Sequence, residues 1–180
     1  MTRFLAYVSM SLDGRIADAD GGTGWLADHA GAPEEGDRGY AAFHAAADAV
    51  VMGRRTHDDL RGTGGPWPYR GKPCFVTTSR MLDPEGEDIL PVLPDYAGLR
   101  DRLTEGGHDR VWVLGGAQTL SAAAAAGMLD ELRLFILPVV LGEGRALFET
   151  GTPPGARLIG HRLWPGGVVE LTYGLSAGDD

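Results

Sequence analysis

Residues 110–120, Arg-Val-Trp-Val-Leu-Gly-Gly-Ala-Gln-Thr-Leu, constrain the fold more than any other stretch of the chain. A short apolar run over 111–114 stops at Gly115-Gly116, and an alanine-rich helical stretch follows at once. A run this apolar suits a buried strand. Turning through two glycines into a helix, such a strand aims unpaired backbone N–H groups outward, and the glycines let a ligand approach the main chain. The junction is therefore a candidate phosphate cradle, although an isolated Gly-Gly serves equally well as a plain strand-to-helix turn. Its neighbours decide between the two.

Along the chain, residues 4–10 read as a first strand, followed by a Gly/Asp-rich loop from 13 to about 39. Helix-forming alanines occupy 40–47, and short apolar strands are expected at 49–52 and 73–77. A helix over 96–104 precedes the 111–114 strand, and a second over 118–126 is closed by Gly127. Residues 131–140 read as a longer strand whose Pro138 indicates an edge or a bulge. The stretches 156–164 and 168–175 form a hairpin around Pro165-Gly166-Gly167. Strands that alternate with helices over the first two-thirds imply an α/β fold, with a mostly parallel sheet covered on both faces. The hairpin adds antiparallel strands at one edge. At 180 residues without repeats, one domain is expected.

A net charge of −9 argues against a general nucleic-acid or anionic-membrane binder, which needs a basic face. It leaves room for a small anion held by a few local arginines. Cys74 is the only cysteine, so no internal disulfide can form, and a reducing cytoplasm is the expected setting. No signal-peptide pattern precedes the first strand, and the longest apolar run, 134–141, is too short to span a bilayer. The five histidines show no metal-ligand spacing, so no metal is expected.

Two further junctions resemble the first. Val50-Val51-Met52-Gly53-Arg54-Arg55-Thr56 again passes from a strand through a glycine into a candidate helix. Adjacent arginines at a helix start oppose the macrodipole, and an external anion would explain them; a solvated surface pair is the plainer alternative. Phe75-Val76-Thr77-Thr78-Ser79-Arg80 ends a strand in hydroxyls and a guanidinium, a set suited to a phosphate monoester. In an open α/β sheet, ligands bind beyond the carboxyl ends of the strands. Three phosphate-friendly turns on one rim suggest an extended polyanion such as a dinucleotide. By contrast, Gly22-Thr23-Gly24-Trp25-Leu26-Ala27 fits only the letter of a dinucleotide fingerprint, since it lies in a polar loop.

Two carboxylates are candidates for chemistry. Asp13 follows the first strand and faces the same rim, although Asp-Gly usually marks a turn. Asp37 precedes the 40–47 helix and could equally be its cap. Trp25 offers a flat wall for a planar ring, or a plug for the core edge.

Together these residues resemble the dihydrofolate reductase superfamily, and within it the stand-alone form of the reductase domain at the C-terminus of RibD, the bifunctional riboflavin-biosynthesis enzyme. The resemblance covers nearly the whole chain. It rests on Ser11-Leu-Asp-Gly-Arg-Ile-Ala17, Val51-Met-Gly-Arg-Arg-Thr56, Val113-Leu-Gly-Gly-Ala-Gln118, and Asp130-Glu-Leu-Arg-Leu134 followed by Pro138-Val-Val-Leu-Gly-Glu-Gly144. It implies a dihydrofolate reductase-like three-layer fold with about eight strands, NADPH as hydride donor and a homodimer. Gly53, Arg54, Arg55 and Thr56 then correspond to the loop that grips the pyrophosphate and 2′-phosphate. Thr78, Ser79 and Arg80 correspond to the adenosine-phosphate site, and Gly115, Gly116, Ala117 and Gln118 to the pyrophosphate and nicotinamide side. Residues 13–25 match the mobile active-site loop, with Ser11 and Trp25 on the substrate side.

The zinc deaminase pattern of the bifunctional enzyme is absent. Asp37 lies as far before Met-Gly-Arg as the substrate-binding acid of dihydrofolate reductases, but in a glycine-rich setting without the usual preceding proline. The expected activity is NADPH-dependent reduction of a small heterocycle, first the riboflavin precursor 5-amino-6-(5-phosphoribosylamino)uracil and second a pterin. Arg145 is a weak candidate for the precursor's phosphate. A non-catalytic nucleotide-binding dimer of the same fold is the competing expectation.

Overall fold

The apolar runs become one eight-stranded sheet in the computed structural model, which describes residues 1–29, 36–82, 88–149 and 155–175. Its strands are β1 (Arg3–Ser11), β3 (Ala49–Gly53), β4 (Cys74–Thr77), β5 (Ile89–Val92), β6 (Arg110–Gly115), β7 (Glu131–Leu137), β9 (Ala156–Trp164) and β10 (Val168–Leu175). A separate ribbon pairs β2 (Arg15–Ala17) with β8 (Arg145–Ala146). Among the described residues four α-helices complete the fold: α1 (Tyr40–Ala46), α2 (Arg54–Gly62), α3 (Tyr96–Glu105) and α4 (Ala117–Ala125).

Across the sheet the order is β5-β4-β3-β6-β1-β7-β10-β9. The first six strands are parallel, and the terminal hairpin is antiparallel, as expected. Val50, Val51, Val111 and Val113 are fully buried because helices cover both faces. Each such side chain contributes about 1.5–3 kcal/mol through burial. Phe43 of α1 and Leu60 of α2 pack with Leu5, Val50, Met52 and Trp112 on one face. Leu99 and Leu103 of α3, and Leu120, Ala123 and Ala124 of α4, pack with Phe4, Val51, Val111 and Val113 on the other. The alanines let α4 lie close to the sheet. The result is a three-layer α/β/α fold.

Two details depart from expectation. Pro138 lies just beyond β7 rather than within it. β7 is hydrogen-bonded on both sides, by β1 and β10, and a residue without an N–H cannot continue such a ladder. β5, Ile-Leu-Pro-Val, carries no strand signal because of Pro91, which is tolerated because β5 is the sheet's edge.

The sheet also divides at its centre. β1 pairs with β6 only through Arg3, Phe4 and Leu5, opposite Arg110, Val111 and Trp112. Beyond that, β1 continues along β7 to Ser11, while β6 follows β3 to Gly115. The carboxyl halves of two neighbouring strands thus part where the winding of the sheet reverses, which is where an open α/β sheet takes its ligand.

Candidate functional site

The three turns share one rim, at the ends of the adjacent strands β4, β3 and β6. Two of them touch directly. The Gly116 N–H donates to Thr56 Oγ1 at 2.9 Å, and a Cβ on Gly53 would lie 2.7 Å from Thr119 Oγ1. The Gly115–Gly116 peptide is cis. Gly53 caps α2 and Gly116 caps α4, neither with a side-chain hydrogen bond. First-turn N–H groups have no partner within their own helix, so two positive helix ends stand side by side. Ala117 is buried at the start of α4, and Gln118 is exposed.

The arginines divide by their commitments. Arg54 Nε donates to both Asp58 carboxylate oxygens at 2.8 Å, and its Nη1 donates to the Met81 carbonyl at 2.9 Å. It braces α2 against the segment after β4. Arg55 donates to the Asp20 carbonyl at 2.8 Å and so ties α2 to the loop after β2. Arg80 is exposed and its guanidinium has no partner among the described residues, while Thr78 Oγ1 closes a small turn with the Arg80 backbone. Ser79 is exposed beside it. Arg80 is thus the rim cation best able to meet an anion. Arg145 ion-pairs with Glu149 at 3.2 Å in the β2–β8 ribbon.

Asp13 is an anchor. Its carboxylate accepts from Ser11 Oγ at 2.6 Å and from the Leu141 and Gly142 N–H groups at 3.1 and 2.8 Å. The Ser11 bond, then the Leu141 bond, hold its pKa at about 2, below the ordinary 3.8. Asp13 is therefore ionised at neutral pH and cannot deliver a proton. Ser11 itself is wholly buried, its hydroxyl bound to Asp13 and to the Arg15 N–H, so it faces the loop and not a substrate. A carboxyl whose folded pKa is depressed contributes stability above its unfolded pKa and loses it as pH falls through the folded value. Asp13→Asn is accordingly expected to flatten the decline in melting temperature between about pH 4 and pH 2, relative to the parent protein. An unchanged acid limb would show that this cluster does not link pH to stability.

Asp37 also spends its carboxylate on the backbone. It accepts from the Gly39 and Ala41 N–H groups at 2.9 and 2.6 Å at the entry to α1. The Ala41 bond, then the Gly39 bond, lower its pKa. Trp25 lies in a short 3-10 helix, Gly24–His29, and packs with Phe135, Leu137 and Val168, so it closes the core edge.

The residue beside it, Leu26, lines a cavity of about 290 Å³ together with Tyr7, Ser9, Asp37, Arg38, Tyr40 and Leu137. Sequence reasoning singled out only Asp37 from this set. The Tyr7 ring lies 4.4 Å from that of Phe135 and 5.8 Å from that of Tyr40, edge-on to the latter. Burial pushes the Tyr7 phenol well above its ordinary pKa, so it is neutral and donates to the Arg38 carbonyl at 3.3 Å. The alternation of Tyr7, Ser9 and Ser11 along β1 was the available signal: three polar groups on one face of a strand that the sheet buries at its centre. The cavity lies on the β1 side of the parting strands, and the glycine turn of β6 lies on the other.

Comparison with known proteins gives the family and agrees with the fold. Residues 4–169 match the RibD C-terminal domain. The chain belongs to the RibD C-terminal domain family. Within reach of this family, it is 32% identical over 168 residues to the uncharacterized protein YwjB of Bacillus subtilis, covering 93% of this chain and 94% of that one. A candidate riboflavin biosynthesis protein from Shewanella sp. PV-4 superposes with a TM-score of 0.87 at 26% identity, over 97% of this chain and 99% of that one. The dihydrofolate reductase HdrB of Haloferax volcanii is 39% identical over 89 residues, 46% of this chain and 45% of that protein. The chain therefore has the RibD C-terminal domain fold, which it shares with riboflavin-pathway reductases. No group of three metal-ligating side chains occurs among the described residues, and no helix there is long and apolar enough to cross a membrane.

Proposed function

We propose that this RibD C-terminal domain protein is an NADPH-dependent reductase of a small planar heterocycle. The observation that carries the reading is the parting of β1 and β6, with an uncapped pair of helix ends on one side and an aromatic-walled cavity on the other. The rim fits the cofactor, because two helix N-termini and Arg80 offer N–H groups and positive charge for phosphates. In this reading Gly53, Thr56, Gly115, Gly116, Ala117 and Gln118 hold the pyrophosphate, and Thr78, Ser79 and Arg80 take the 2′-phosphate. Arg54 and Arg55 position the turn through Asp58, Met81 and Asp20.

Bound NADPH supplies hydride from its nicotinamide ring. The chain's own contribution is to hold an electrophilic C=O or C=N against Tyr7 and Tyr40. The proton that follows comes from solvent, because the Ser11 hydroxyl with the Leu141 and Gly142 N–H groups keeps Asp13 ionised, and the Ala41 and Gly39 N–H groups lower the pKa of Asp37. The substrate resembles 5-amino-6-(5-phosphoribosylamino)uracil. A pterin is the second reading, favoured by the Asp37 carboxylate on the cavity wall and by the likeness to HdrB.

Titration with NADPH and with NADH, followed by energy transfer from tryptophan to nicotinamide, tests the cofactor assignment. Saturable binding that favours NADPH is expected. Absence of binding by either nucleotide would sink the reductase reading and leave a non-catalytic use of the fold. Arg80→Ala is expected to weaken NADPH by about 1.5–3 kcal/mol, tenfold or more, and to leave NADH nearly unchanged. Arg54→Ala should weaken both nucleotides alike, since its guanidinium braces the loop. The reverse pattern would move the 2′-phosphate from Arg80 to Arg54.

We further propose a cytoplasmic homodimer formed through the hairpin. Leu163 is 78% exposed and Leu158 is 49% exposed on β9, an apolar strip on the edge strand. Leu163→Arg is expected to halve the sedimenting mass. A parent protein that sediments as a monomer would remove the dimer.

A further inference from the structure

Three consecutive residues at the start of α2 reach three different segments. Arg54 donates to the Met81 carbonyl after β4, and Thr56 Oγ1 accepts from the Gly116 N–H before α4. Both contacts stay within the rim of strand ends. Arg55 points out of it: its Nη2 donates at 2.8 Å to the carbonyl of Asp20, 35 positions earlier. Asp20 belongs to a closed turn. The Gly21 N–H donates to the Asp18 carbonyl at 3.0 Å, and the Asp18 N–H donates to the Gly22 carbonyl at 2.9 Å. Asp18 Oδ1 accepts from the Asp20 and Gly22 N–H groups at 3.1 and 2.7 Å. Among the described residues the other hydrogen bonds of this turn are internal, so Arg55 bonds its tip to the body of the protein.

Gly21 is shaped to this contact. A Cβ there would meet Arg55 Nη2 and lie 2.8 Å from Arg55 Cζ, at a φ of +85°. The guanidinium therefore rests against the backbone of the turn. Its ion pair with Asp59 is long, 3.9 Å between two exposed side chains, and holds it only weakly. An arginine so near a helix start opposes the macrodipole, and the turn supplies the reason for it. From the turn the chain runs straight to the cavity. The Thr23 carbonyl accepts from the Leu26 N–H at 3.0 Å within the short 3-10 helix Gly24–His29, and Leu26 lines the cavity beside Tyr7. The far end of that helix is held by Arg38, which donates to the His29 carbonyl at 2.9 Å. The segment that carries Leu26 is thus suspended between two guanidinium–carbonyl bonds, one from the cavity wall and one from the start of α2.

We propose that Arg55 is a positioning residue, a latch through which the start of α2 and the Leu26 wall of the cavity are set as one unit. A ligand that orders the start of α2 then also orders residues 18–29, and by linkage a ligand on that wall favours the ordered start of α2. One charge-assisted bond biases the segment by about tenfold, enough to couple the two sides and little enough to open. In naming NADPH as the ligand at α2 this inference rests on the reductase reading. The latch itself does not.

Hydrogen exchange at the Gly22 and Leu26 amides tests it, on the parent protein, Arg55→Gln, Gly21→Ala and the double variant, with and without saturating NADPH. Without nucleotide, Arg55→Gln is expected to speed exchange at both amides by about tenfold. Gly21→Ala should do at least as much with the arginine in place, because the new methyl displaces the guanidinium. The double variant should exchange no faster than Gly21→Ala alone, since both changes break one contact. Saturating NADPH is expected to slow both amides in the parent and to leave them unaltered in the three variants. Unchanged exchange in Arg55→Gln would overturn the latch, and loss of NADPH binding alongside it would make the residue a phosphate ligand instead. Rates that multiply in the double variant would also overturn it, as would parent amides that bound NADPH leaves unaltered. A parent protein that binds no NADPH would remove the reductase, and exchange in the nucleotide-free variants would still decide the latch.

Discussion

Gly144→Ala is expected to lower the melting temperature by roughly 6–12 °C, from a cost of about 3 kcal/mol in a domain of this size. A Cβ on Gly144 would lie 2.1 Å from the Ala17 carbonyl oxygen and 3.0 Å from the Asp18 carbonyl carbon. Both obstacles are backbone, so no rotamer change relieves them. The residue also sits at φ +139°, a conformation that side chains of L-residues avoid. Gly142 provides the control, because its φ is +76° and a Cβ there meets nothing within 4 Å. Gly142→Ala should therefore cost only the left-handed conformation, about 1–2 kcal/mol. Differential scanning calorimetry on the two variants separates the two causes. Equal drops would show that backbone conformation alone governs this segment. A larger drop for Gly144→Ala locates the cost in the close approach of β8 to β2, the ribbon that fixes the loop leading to Trp25 and Leu26.

What the sequence disclosed follows the range of the interactions involved. The Gly115-Gly116 junction and the hairpin at Pro165-Gly166-Gly167 are local devices, in which turn chemistry and apolar patterning lie within a few residues of each other. Gly127 behaves likewise at the end of α4, with φ +64° just beyond the last turn. The partners of polar side chains are another matter. Asp13 is bound by Leu141 and Gly142, 128 and 129 positions away, and nothing near Asp13 announces them. Arg54 and Arg55 look alike in sequence, yet Met81 and Asp20 divide their duties. The charge pattern disclosed an arginine pair but not what already held it. Tyr7 escaped notice for a different reason. Within a strand an aromatic residue reads as core, and it becomes a cavity wall only because β1 and β6 part beside it.

Gly53→Ala is expected to weaken NADPH binding by more than tenfold, and Thr119→Ala in the same chain to restore much of that loss. Gly53 has φ −77° and ψ 158°, a conformation open to any residue, so the glycine is required for space and not for its dihedral freedom. The space is taken by Thr119: its Oγ1 would lie 2.7 Å from the new Cβ, and the residue is buried on α4. Threonine in a helix has few rotamers with which to retreat. The α2 and α4 turns must then separate, and the Gly116 N–H to Thr56 Oγ1 bond at 2.9 Å stretches with them. Overpacking of this kind costs about 1–3 kcal/mol of stability. Under the proposed cofactor reading its effect on binding is larger than that figure suggests, because both helix ends would face the same phosphates. Thr119→Ala removes the obstructing oxygen, so the double variant should bind NADPH better than Gly53→Ala alone, with a coupling of about 0.5–3 kcal/mol. Stability and nucleotide affinity are measured on the same four proteins. Strictly additive losses would mean that the turns do not act as one unit, and the shared rim would cease to explain the pairing of these glycines.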